Sequence, residues 1–207
     1  MLDDMRRHGL APLVLFALVA FAQHAHADAQ PGLALRIVAR AREEAARGVR
    51  YDPSYERIAY PMGDVDPARG ACTDVVVRAL RAAGVDLQQR IHEDALAHPD
   101  AYPHIARPDA SIDPRRVPGV RAWMMRHAQR LPTGTARAED RASWHAGDVV
   151  VWNLGLCPAC RPRHVGIVSD RMGQGGLPLV IHNIGPVARE EEALTAWTIV
   201  GHYRVIR

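Results

Sequence analysis

The spacing of apolar residues changes character along the chain. Over residues 33–47, Leu33, Ile37, Val38 and Ala41 recur near the helical repeat among arginines and glutamates, and Gly48 follows. Apolar residues three to four apart form one stripe on a helix, and a glycine just past the stripe is a stop signal. An amphipathic helix over 33–47 is therefore expected. Between Tyr51 and Gly70, the breakers Pro53, Pro61, Gly63 and Pro67 predict a loop-rich approach segment. Cys72, Val76, Leu80 and Ala83 then fall on one helical face ahead of Gly84, which predicts a second helix with Cys72 in its first turn. Residues 86–132 are polar and crossed by Pro99, Pro103, Pro108, Pro114 and Pro118. Proline lacks an N–H and clashes inside a helix, so only short helices near 89–97 and 120–130 are expected. Such a stretch forms a rim or lid over a site, or a surface excursion.

The last third has the β-branched and aromatic character of strands. Residues 148–153, 164–169, 179–183 and 198–206 are separated by turn residues and read as four strands. Helices first and strands later predict an α+β domain, its N-terminal helices packed on a C-terminal antiparallel sheet.

The start of the chain stands outside this plan. Arg6, Arg7 and His8 precede an apolar run from Leu10 to Ala22, and Ala25-His26-Ala27 follows. Basic, apolar, then small-x-small is the order of a secretory signal peptide, here residues 1–27, leaving 28–207 as one mature domain. The run is too short to cross a hydrocarbon layer of roughly 30 Å comfortably, so no membrane span is expected after its removal, the alternative being an uncleaved membrane anchor. The signal carries Asp3 and Asp4 against Arg6 and Arg7, so the formal charge of +3 is unchanged by its loss. That excess suits an acidic envelope polymer or anionic lipid. It is too small for nucleic acid, and no basic-aromatic stripe accompanies it. The expected location is periplasmic or secreted, as a monomer, with no cofactor.

Three cysteines remain in the mature chain, Cys72, Cys157 and Cys160. An odd number in an oxidising compartment leaves one thiol unpaired or reactive. Cys157-Pro158-Ala159-Cys160 can close locally as a disulfide, which leaves Cys72. A helix start offers free N–H groups and partial positive charge, and both stabilise a thiolate and an oxyanion. Asp74, in the same turn, would oppose that charge if it pointed inward, and a free cysteine here also serves as a small core residue. His164 opens a strand whose alternation sets His164, Gly166 and Val168 on one face and Val165 and Ile167 on the other. A helix terminus packed on the His164 face would lie within its reach. One strand later, His182 or Asn183 is available to orient the imidazole, which would complete nucleophile, base and orienter. His92-Glu93-Asp94 reads as a polar helix face, Asp113, Arg115 and Arg116 as an ion-paired loop anchor, and Trp123, Trp144, Trp152 and Trp197 as packing.

Four short blocks occur in a telling order: Gly70-Ala71-Cys72-Thr73-Asp74, Gly147-Asp148-Val149-Val150, His164-Val165-Gly166-Ile167-Val168 and Ile181-His182. They resemble the NlpC/p60 cell-wall peptidases of the papain-like superfamily. From about Leu33 onward, Tyr60-Pro61-Met62-Gly63-Asp64-Val65, Ile112-Asp113-Pro114-Arg115-Arg116-Val117-Pro118, Val180-Ile181-His182-Asn183-Ile184-Gly185 and Gly201-His202-Tyr203-Arg204 resemble more closely an exported bacterial family of unknown function within that superfamily. The resemblance implies a papain-like fold with Cys72 as nucleophile, His164 as base and His182 as orienter. It also suggests Tyr60, about a dozen residues ahead of the cysteine, as a residue lining the oxyanion site, with Asn183 a further substrate-side candidate. The activity implied is that of an amidase or peptidase on peptidoglycan stem peptides. The chain departs from the superfamily in having Cys72-Thr73-Asp74 where Cys-Ser-Gly is common, and in its long middle insert. Two other readings stand beside this one. Cys157 and Cys160 with His164 and His182 supply four ligands for zinc, and an old hydrolase fold can serve as a non-catalytic envelope-binding module.

Overall fold

The computed structural model describes residues 32–155 and 163–206. Helix α1 spans residues 32–46, and Leu33, Ile37, Val38 and Ala41 are its buried stripe. Strand β1 (Arg50–Tyr51) pairs in parallel with β2 (Arg69–Gly70). Helix α2 (Cys72–Ala82) follows, then α3 (Leu87–Ala97), started by Asp86, whose carboxylate accepts from the Gln88 N–H at 3.2 Å. A one-turn 3-10 segment, Asp113–Arg115, leads into α4 (Val117–His127). Pro118 sits in the first turn of α4, where its missing N–H would have had no helical partner anyway. A second one-turn 3-10 segment, Pro99–Ala101, follows α3, and after α4 come β3 (Gln129–Arg130), α5 (Ala138–Ala142), β4 (Val149–Asn153), β5 (His164–Met172), β6 (Pro178–His182), β7 (Arg189–Glu191) and β8 (Thr198–Arg204).

Six of these strands form one antiparallel sheet in the order β3-β8-β4-β5-β6-β7. Its alternating side chains feed two apolar layers. Val149, Val151, Val165, Ile167, Ile181 and Tyr203 face α1, α2, α3 and α4, in one core with Val76, Leu80, Ile91, Val120 and Met124. Val150, Trp152, Val168 and Val180 face the other way, against Trp144, Leu194 and Trp197. The chain is thus a mixed α+β fold with helices on one face of an antiparallel sheet.

Two expectations change. The segment over 86–132 is neither a lid nor a surface excursion: α3, α4 and Tyr102 are part of the main core. The helices also cover the face of Val165 and Ile167, not that of His164, Gly166 and Val168. Both faces of β5 are apolar, so alternation separates two sets of residues without saying which set the helices cover.

Asp148, ahead of β4, is a structural residue. It is fully buried, and its carboxylate meets His202 Nε2 at 2.8 Å and Arg204 through Nε and Nη2, both at 2.7 Å. Residues 1–31, with the expected signal, lie outside the described residues. Among the described residues no helix is long and apolar enough to cross a membrane.

Candidate active site

Cys72 is the first residue of α2, directly after extended Ala71. Asp74 holds this corner. Its Oδ2 accepts from the Ala71 N–H at 2.6 Å, and both its oxygens take the Arg115 guanidinium, at 2.9 and 3.1 Å. The acid faces Arg115, yet its charge still works against a thiolate at Cys72, as its place in the turn suggested.

Cys72 as a whole residue is 6% exposed. Burial pushes the thiol up to about 12, and the backbone N–H groups of Val165, Thr73 and Cys72 itself oppose that rise. The contact with Val165 follows from the strand geometry. Val168 N–H donates to Asp148 O on the β4 side, so the N–H groups of Gly166 and His164 point that way too, and that of Val165 points toward β6. The β5–β6 ladder runs from Ile167↔Ile181 outward, and β6 ends at His182. Val165 therefore carries a free N–H where β6 leaves β5, and the sulfur takes it. At this opening a cysteine from the helical face adjoins the residue next to His164.

His164 and His182 lie together on the other face. His164 Nε2 is 2.7 Å from His182 Nδ1, and His182 Nε2 is 3.1 Å from Glu191 Oε1. Gly166 makes room for this pair, since a Cβ there would come within 2.7 Å of Val180 Cγ1 and 3.1 Å of His182 Cβ. The His164 ring stacks on Trp152 with centroids 5.2 Å apart, and Trp197 stands edge-on to His164 at 5.4 Å and to His182 at 6.1 Å. Trp152 and Trp197 thus wall the pair. Burial is the main reason that His164 drops to about 3, with the neighbouring His182 adding to the fall. Burial lowers His182 as well, opposed by Glu191. Both imidazoles are neutral at ordinary pH.

The other candidates are placed as follows. Asn183 is fully buried and spends its amide hydrogens on the Val49 and Gly70 carbonyls, at 3.1 and 3.0 Å. It fastens the strand that precedes Cys72 and has no hydrogen left for a substrate. Of His182 and Asn183, His182 is the one that meets His164. Tyr60 stands edge-on to His92, ring centroids 5.1 Å apart, and bonds Glu93. The tyrosine beside the cysteine is Tyr51, whose phenol is raised by burial and then by charge on Cys72 and Asp74. It pairs with Gly70 across β1 and β2, a two-residue parallel ladder with no sequence pattern of its own. Glu191 was also missed, because Glu190-Glu191-Glu192 reads as a solvated acidic run. Arg115 is an ion-paired anchor as expected, with Asp74 as its partner. Cys157 and Cys160, the disulfide candidate and half of the zinc alternative, lie outside the described residues. Among the described residues no three metal-ligating side chains converge.

Fold and site together define a class: mixed α+β proteins in which a helix-start cysteine meets the end of a sheet strand that opens with a histidine. A protein-family model described as "Domain of unknown function (DUF1287)" matches residues 38–205, and the chain belongs to this family. The chain is also 42% identical over 205 residues to "Uncharacterized protein YijF" of Escherichia coli (strain K12), a match covering 92% of this chain and 95% of that protein.

Proposed function

We propose that the chain is an exported cysteine hydrolase of the NlpC/p60-like, papain-like kind, cleaving amide bonds in peptidoglycan stem peptides. The observation that carries this reading is the junction at the end of β5. The Cys72 sulfur accepts from the backbone of Val165, next in sequence to His164, and His164 uses its far nitrogen, Nε2, on His182. Its Nδ1 is then the nitrogen left for the thiol.

In this mechanism His164 takes the Cys72 proton as the sulfur attacks the acyl carbon. The N–H groups of Cys72 and Thr73, which already face the sulfur, stabilise the oxyanion. His164 returns the proton to the leaving amine, and water, deprotonated by the same imidazole, hydrolyses the thioester. Tyr51 flanks the acyl site. The substrate class is inferred from the signal-like N-terminus and from the superfamily resemblance.

The test is incubation with purified muropeptides and a mass readout, wild type beside Cys72→Ala. Cleavage by wild type that vanishes in the variant is expected. Cleavage retained by Cys72→Ala ends the proposal.

A further inference from the structure

We propose that Glu191 is a positioning residue for this site, fixing the tautomers of His182 and His164 so that the basic nitrogen of His164 is the one left for Cys72. The inference rests on the hydrolase reading for its catalytic meaning, but the proton arrangement follows from the hydrogen bonds alone.

Strand β7 presents its residues alternately to the two faces of the sheet. Glu190 turns to the helical side, where it accepts from Arg42 and from the Ser169 hydroxyl. Glu191 pairs with Val180 and so shares the face of His182, two residues along. Glu191 Oε1 reaches His182 Nε2 at 3.1 Å. A carboxylate only accepts, so Nε2 carries the hydrogen. A neutral imidazole has one N–H, which leaves His182 Nδ1 as a lone pair. That lone pair faces His164 Nε2 at 2.7 Å, so His164 Nε2 donates. By the same count, His164 Nδ1 is unprotonated. One acidic side chain at the sheet edge thus sets two proton positions, and the second of them is on the general base.

The charged and titratable groups facing His182 are His164, Glu191 and Arg189. Burial and Arg189 disfavour its imidazolium form, and Glu191 alone favours it. The neutral state on which the tautomer count depends is therefore the one this surrounding supports. Without Glu191, His182 Nε2 has no acceptor and either tautomer becomes available. When His182 Nδ1 carries the hydrogen, His164 Nε2 must accept, and its proton moves to Nδ1, so the nitrogen that the proposed mechanism needs as base is no longer free.

The experiment uses the full chain labelled with 15N-histidine. Imidazole nitrogen shifts report the tautomer of each ring, and acetylation of Cys72 by p-nitrophenyl acetate reports the base. In wild type both His182 and His164 should be Nε2–H. Glu191→Ala should mix the tautomers of both rings and slow acetylation about tenfold in protein that is still folded. Glu191→Gln, whose amide oxygen still accepts, should restore both readouts. Wild-type tautomers in Glu191→Ala overturn the proposal. Acetylation indifferent to His164→Ala overturns the hydrolase reading instead, and is told apart because the tautomers would still answer to Glu191.

Discussion

Burial moves Cys72 and His164 in opposite directions, the thiol up to about 12 and the imidazole down to about 3. Each shift favours the uncharged form, because a charge loses hydration when it leaves water. The resting pair is therefore a thiol and a neutral imidazole, and under the proposed mechanism proton transfer would wait for an acyl group on which charge can settle at the helix start. This separates the site from a thiolate–imidazolium pair, in which each charge stabilises the other across neutral pH. The difference is measurable with a small alkylating agent in the absence of substrate. Alkylation of Cys72 by iodoacetamide should rise with pH from neutrality to beyond pH 9 without levelling, since the thiolate fraction is still climbing there. A plateau beginning below pH 7 would reveal a preformed ion pair and contradict the neutral resting state.

The geometry of the site depends on how neighbouring elements are tied, and Arg115 ties most of them. Besides Asp74 at the start of α2, it donates to the Ser54 and Asp52 carbonyls at 2.7 and 3.2 Å, just past Tyr51. Both charged side chains are 4% exposed. Removing one partner strands the other charge out of water, so Arg115→Ala should cost roughly 3–5 kcal/mol in urea unfolding. A loss under about 1 kcal/mol would remove its anchoring role. Elements of this scale were legible where the chain repeats itself. The apolar stripe of α2 and the β-branched runs of β4, β5, β6 and β8 announce themselves. Strands β1, β2 and β7 do not, because two or three residues such as Arg50-Tyr51 or Arg189-Glu190-Glu191 become strands only through their partners. Helix α4 begins earlier than expected because Pro118 reads as a breaker but occupies a first turn, where proline costs nothing. Cys72, His164 and His182 were visible as residues, while Tyr51 and Glu191 were hidden in those short strands.

At the scale of the whole molecule, the sheet carries a wet chemistry inside a dry layer. His164 and His182 are each at most 2% exposed, and Trp152 and Trp197 close over them. Keeping two imidazoles neutral in such a place stabilises the fold only while the unfolded chain leaves its own histidines neutral. The sign is fixed by proton counting. The folded pKa of His164 is depressed from 6.5 to about 3, so between those values the unfolded state holds a proton that the folded state does not. Stability from this group is complete above pH 6.5 and falls as pH drops toward 3, at about 1.4 kcal/mol per pH unit. The depressed carboxylates, among them Asp94 and Asp148, act in the same direction but only near and below their ordinary values of 3.8 to 4.5. Asp113, raised by burial, acts in the opposite direction, and His182 acts with His164, so the His164 share is read between pH 6.5 and about 5 as a difference between wild type and a variant. Urea unfolding free energies across that window should slope downward with acid in wild type, and His164→Gln should flatten the slope by about one proton equivalent. Equal slopes in the two proteins would mean that His164 takes up its proton while folded, and a base that is already protonated there cannot be the buried neutral imidazole on which the hydrolase reading depends.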